Sequence, residues 1–125
     1  MSNNSQLIKI FNNNPGGCSI KCVGTTTTTN YSLANYKTGY FVALTDNPTT
    51  TPNRHIIVAG IHQTAKRLNI RKYFIGYWKD QKTNLEYIDL AIHVRTQKEA
   101  KKIGYQYNQK AIFSCKRLDS IYLLG

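Results

Sequence analysis

The order of hydrophobic patterns along the chain predicts an α+β fold, an antiparallel or mixed sheet with two helices on one face. Three observations carry this expectation. Short apolar or alternating segments recur from Gly39 onward, a helical spacing follows the first of them, and a capped amphipathic segment precedes the last pair. From Gly39 to Lys116 the elements read β-α-β-β-α-β, the ferredoxin-like order, with an N-terminal hairpin before it and a C-terminal strand after it.

In chain order, "QLIKIF" (6–11) and "CSIKCV" (18–23) read as two short strands flanking "NNNPGG", a segment dense in turn formers. The polar run "GTTTTTN" (24–30) has no apolar alternation and reads as a loop or a weak edge segment. "GYFVALT" (39–45) is nearly all apolar, as expected of a strand covered on both faces. "DNPTTTPN" breaks it and places Thr51 at a helix N-cap with Pro52 at the first helical position. Ile57, Ile61, Ala65 and Leu68 then recur at helical spacing.

"KYFIGYWK" and "EYIDLAIHVR", separated by "DQKTNL", predict an antiparallel hairpin. In its second strand Ile88, Leu90, Ile92 and Val94 alternate with Tyr87, Asp89, Ala91 and His93, and the mixed side is expected to look away from the helices. Thr96 and Glu99 stand at capping-box spacing ahead of Ala100, Ile103 and Tyr107, which line one face of a helix. "KAIFSCK" and "SIYLL" close the chain as strands. The 125 residues fit a single domain, with 1–38 as a polar hairpin and loop extension and 39–125 as the α+β core.

Charge is distributed unevenly. The net charge is +11, and residues 1–53 carry 3 bases against 1 acid while residues 54–125 carry 14 against 5. Attraction toward polyanions follows physically, and the second half is where a binding surface is expected. No long apolar run exists, and "MSNNSQLIKIFNNN" lacks the basic start and apolar stretch of a secretory signal, so a soluble cytoplasmic protein with no membrane contact is expected. Cys18, Cys22 and Cys115, an odd number, fit free thiols packed as small apolar residues. With Cys18 and Cys22 on a strand and His55, His62 and His93 scattered, neither a metal site nor a cofactor is expected. Phosphate loops, nucleophile elbows and dinucleotide fingerprints are missing from the sequence, which removes the enzyme classes that depend on them.

The bases cluster as Lys66, Arg67, Arg71 and Lys72, then Lys98, Lys101 and Lys102, then Lys110, Lys116 and Arg117. Lys98, Lys101 and Lys102 share one side of their helix, a geometry that can neutralise phosphates. "RKYFIGYWKD" sets four aromatic rings among bases. Because Phe and Trp bury more readily than Tyr, Phe74 and Trp78 are expected inside, with Tyr73 and Tyr77 on an open sheet face beside Tyr87, where they could stack unpaired bases. Two candidates for a general base are His93, on a strand with Tyr87 and Asp89, and His62. Either, with nearby Lys and Arg, could serve metal-free RNA cleavage. Asp89 and His93 are four positions apart on a strand, about 13 Å by strand rise, too far for a direct bond.

"YFIGYWKD", "YIDLAIHV", Glu99 with Ala100, Gly104 and then "NQKAIF" together resemble a pattern found in short uncharacterised proteins encoded by phages, plasmids and other mobile elements. The likeness covers about forty residues of the second half. It implies no catalytic residues, and it implies the roles such accessory proteins play, including interference with nucleic-acid-guided or nucleotide-signalled host defence.

The leading expectation is a non-catalytic basic protein that engages RNA, single-stranded DNA or a nucleoprotein complex. A small metal-free ribonuclease and a protein-interaction module for an acidic partner, oligomeric or not, are the alternatives.

Overall fold

The structure is a computed structural model that describes residues 4–24, 29–45 and 48–123. Leu7, Ile10 and Phe11 stand three and four positions apart, and this spacing overrides the expected first strand. Asn4–Asn13 is helix α1, with Leu7 and Phe11 buried and the Asn14 side chain donating to the Ile10 carbonyl. The hairpin expected around "NNNPGG" is therefore a helix-turn-strand. Strand β1 (Cys18–Gly24) instead pairs with β2 (Thr29–Leu33), so the two ends of "GTTTTTN" are strand and only Thr25 to Thr28 lie outside the described residues. Tyr31, buried in β2, supplies the apolar anchor that the threonine run lacks.

Strand β3 (Tyr40–Ala43) follows, and Pro48–Thr49 within the expected break makes a short strand, β4, against Tyr87 and Glu86. Thr51–Asn53 is a 3-10 turn, and helix α2 runs Arg54–Arg67 with Asn53 at its N-cap, two residues later than Thr51 and Pro52 suggest. Its buried stripe is Val58, Ile61 and Ala65, while Leu68 stands exposed at the C-cap. The hairpin of β5 (Tyr73–Lys79) and β6 (Glu86–Val94) forms as expected. Helix α3 (Gln97–Gln106) starts at Thr96, whose hydroxyl accepts the Glu99 N–H at 3.2 Å, and β7 (Ala111–Ser114) and β8 (Asp119–Tyr122) complete the chain.

The eight strands form one sheet in the order β2-β1-β5-β6-β3-β7-β8, with β4 on β6 and every pair antiparallel. Three helices rather than two cover one face. α1 and α2 pack on Ile20, Cys22, Ile75, Ile88 and Leu90, and α3 packs through Ala100 on Val42, Val94 and Ile112. A second, smaller core lies on the opposite face, where Phe41, Phe74, Ala91 and Cys115 meet Ala34 and Tyr36. Its cover is the stretch Ala34–Gly39, a strap that leaves β2 at one end of the sheet and reaches β3 at the other. Tyr36 stacks on His93 at 4.2 Å and lies edge-on to Phe74 at 5.6 Å. Gly39 ends the strap at φ +83, and a Cβ there would come within 2.8 Å of the Val94 carbonyl oxygen, so the crossing requires glycine.

Candidate nucleic-acid interface

Antiparallel pairing fixes which loops meet. β5, β3 and β8 begin where β6, β7 and β1 finish, so the segments before and after them gather at one end of the sheet. That end carries Lys37, Lys66, Arg67, Arg71, Lys72, Arg95, Lys98, Lys116 and Arg117, all exposed, against Glu99 and Asp119. The Asp119 carboxylate is occupied by Arg117 at 3.0 Å. At the other end Lys79, Lys82 and Lys110 stand with Asp80, and the charge is mixed.

Seven of the sequence candidates therefore converge: Lys66, Arg67, Arg71, Lys72, Lys98, Lys116 and Arg117. Lys110 lies at the opposite end, and Lys101 and Lys102 sit farther along α3, on the helical side. Lys37 and Arg95 belong to the basic end and were not among the candidates. Both flank strands, and asking which strand ends coincide in an antiparallel sheet finds them. Lys21, whose neighbour on β5 is Phe74, adds a base to the helix-free face.

The rings of β5 face the opposite way from the expectation. Tyr73 and Tyr77 point toward the helices, Tyr77 being only 3% exposed, whereas Trp78 is 45% exposed on the other face. Internal partners for the hydroxyls explain the inversion, since a buried Tyr whose OH is bonded carries little desolvation penalty. The Tyr77 OH donates to the Glu86 carboxylate at 2.6 Å. Arg54 holds that same fully buried carboxylate with two nitrogens, at 2.7 and 2.6 Å. Burial pushes Glu86 upward, but the Arg54 and Tyr77 bonds together outweigh it and keep the carboxyl below its usual range. The Tyr77 phenol is pushed up to about 12, first by burial and then by Glu86.

Phe74 is buried as expected, but beneath the strap and not beneath a helix. Tyr87 faces away from the helices together with Asp89 and His93, as the alternation predicts, and stacks on Trp78 with centroids 4.6 Å apart and planes 8° from parallel.

Both candidate general bases hold structural bonds. The His62 ring lies between the Tyr31 and Tyr73 hydroxyls, each 2.6 Å from one of its nitrogens, in the core beneath α2. Burial pulls its pKa below the ordinary value, so the ring is neutral at pH 7, with one tyrosine donating to it and the other accepting. The His93 Nε2 donates to the Thr38 carbonyl at 2.9 Å and its ring is roofed by Tyr36, which makes it the post on which the strap rests. Burial raises all three thiols, Cys18 to about 11 and Cys22 to about 12, so none is a thiolate nucleophile at neutral pH. Among the described residues no three His, Cys, Asp or Glu side chains gather as a metal site, and no helix is long and apolar enough to cross a membrane.

Beside the strap the helix-free face opens into a groove of about 680 Å³, in the size range of small-ligand clefts. Ala34 and Tyr36 of the strap form one wall and Phe113 and Leu118 another, with Trp78 toward the mixed-charge end. Gly76, Ala43 and Ala91 form the floor. Asp89 is the one charged residue in the lining among the described residues. The bases stand outside: Lys72 lies 5.9 Å from the Tyr36 ring centroid, and Lys116 and Arg117 share the turn that supplies Cys115 and Leu118. Compared with known protein families, with curated proteins and with solved structures, the chain matches none.

Proposed function

We propose that this protein is a small, basic, non-catalytic binder of RNA or single-stranded DNA, free or within a nucleoprotein complex. The observation that carries the reading is the convergence of nine exposed bases at one end of the sheet, bordering an open face that displays Trp78, Tyr87 and Phe113. Basic side chains neutralise phosphates without reading sequence, and exposed rings offer stacking surfaces to unpaired bases. The binding function does not require a general base, and both candidate histidines are committed to internal bonds.

The same reading takes β5, β6, β3 and β7 with α2 and α3 as a ferredoxin-like unit. It is supported by the order of those four strands and their antiparallel pairing, with β1 and β2 added at one edge and β8 at the other.

The test is retention of labelled single-stranded RNA and DNA in EDTA at two salt concentrations, with strand integrity read from the same samples. Retention of intact strands should weaken with salt by about 0.7 log units per log unit for each phosphate neutralised. Reversing charge at the basic end, K66E with R67E and R71E, should remove most of the retention. Strands that are neither held nor cut would overturn the proposal and direct attention to an acidic protein partner. Cleavage that survives EDTA would overturn it in favour of a ribonuclease.

A further inference from the structure

Two residues in the groove run against the preferences of their own backbone. Gly76 occupies the middle of β5, where glycine weakens a strand, yet its φ is not positive and a Cβ placed on it would meet nothing nearer than the Asp89 carbonyl oxygen at 4.0 Å. The fold thus has room for a side chain there and no backbone need for glycine. Leu118 sits at φ +56, a conformation that favours glycine or asparagine, and is 74% exposed. Neither local strain nor water exposure favours leucine at that position. Both residues line the same groove, one keeping its floor low and the other raising its wall.

From this geometry we infer that the groove receives an unpaired nucleobase, with the attached phosphates directed toward the basic end. The inference rests on the nucleic-acid reading above and assigns its base-binding site. Charge sets the orientation. A phosphate above Asp89 would be repelled, whereas Lys72, Lys116 and Arg117 stand at the mouth beside Tyr36 and Leu118. The ligand that matches an apolar, ring-walled body with cations at one end has a flat aromatic part and an anionic part, as a nucleotide has. Trp78, already stacked on Tyr87, presents its ring at the far end of the groove for further stacking. A duplex keeps its bases stacked within itself and does not enter, so the site distinguishes single from double strands.

Trp78 is the only tryptophan, which makes its fluorescence a direct probe. Titration with AMP and GMP, with short RNA and DNA oligonucleotides and with duplexes of the same sequence should give saturable quenching by single strands and mononucleotides and not by duplexes. Comparing the RNA and DNA arms shows whether the sugar matters. G76V fills the floor and should weaken single-strand binding at least tenfold while leaving the melting temperature unchanged or raised and leaving charge-driven duplex retention intact. Should G76V fail to fold, L118N relieves the backbone strain, should raise the melting temperature, and should still weaken single-strand binding.

Folded variants that bind single strands like the parent would overturn the groove assignment. If K66E with R67E and R71E nonetheless abolishes retention, the broader binding proposal stands without the groove. If that reversal also changes nothing, both fail. Quenching by an acidic tyrosine-containing peptide, with none by oligonucleotides, would reassign the groove to a protein ligand.

Discussion

The two faces of the sheet are closed by different means. On one, three helices cover the strands and, among the described residues, the polar side chains drawn inside have partners, as Glu86 has in Arg54 and Tyr77 and His62 in Tyr31 and Tyr73. On the other, six residues of irregular chain cross the strands, hold down Phe41 and Phe74 through Tyr36, and leave the rest open. A hydroxyl on a ring does not by itself place that ring at the surface. The tyrosines of β5 lie in the helical core because partners await them, and the tryptophan is exposed because its face is only half covered.

The largest effect is expected at the helical face. E86Q leaves Arg54 charged and 88% buried without its counter-ion, since that side chain is only 12% exposed. A loss of about 3–5 kcal/mol in denaturant unfolding is expected. A loss below about 1 kcal/mol would mean that the network is relaxed by water and that the helical face is less sealed than its geometry indicates.

At the strap the effect should be smaller. G39A forces a Cβ against the Val94 carbonyl and the His93 ring at a positive φ, which predicts a loss of about 1–3 kcal/mol. Hydrogen exchange should then rise at Phe41 and Phe74 while α2 remains protected. Equal loss of protection on both faces would show that strap and helices open as one unit.

Protonation offers a gentler discriminator. Because burial lowers the His62 pKa, the unfolded chain takes up a proton near pH 6.5 and the folded chain does so only at lower pH. The unfolded state binds more protons in that window, so stability should fall as pH drops below about 6.5 and recover as it rises. His62→Phe should flatten this part of the profile, and an unchanged slope would place its origin elsewhere. Glu86 adds a second loss at lower pH, as its depressed carboxyl is finally protonated. The smallest effect is assigned to the exposed pair Arg117–Asp119, where D119N should change stability by no more than about 0.5 kcal/mol. It should also strengthen nucleic-acid retention by removing an acid from the basic end.

Much of this architecture is legible in the sequence because it is written in local chemistry. The β5–β6 hairpin declares itself by alternation around "DQKTNL", and α3 by Thr96 and Glu99. The choice of face for Tyr73, Phe74, Tyr77 and Trp78 is not local. β5 carries apolar groups on both sides, and the deciding partners, Glu86, His62 and the strap, arrive from other parts of the chain. α1 was hidden for a related reason: four apolar residues within "QLIKIF" satisfy a short strand and a helix alike until Leu7 and Phe11 find one surface together. Seven of the clustered bases that the sequence marks as candidates meet at one end, but their convergence depends on strand order, which composition does not encode.

The pairing of β1 with β5, Cys18 opposite Tyr77, and of β3 with β6, Phe41 opposite His93, bears on how the chain comes to be folded. During synthesis the first seventy residues have little to pair with beyond the β1–β2 hairpin, because both strands that flank the gap between β1 and β3 have yet to be made. Their apolar groups must wait for β5 and β6, so the fold closes late and around its middle, and contacts of such long separation are slow to form. The early chain is also rich in threonine and asparagine. Such polar side chains are well hydrated, which lowers the attraction of an unpaired segment to other chains.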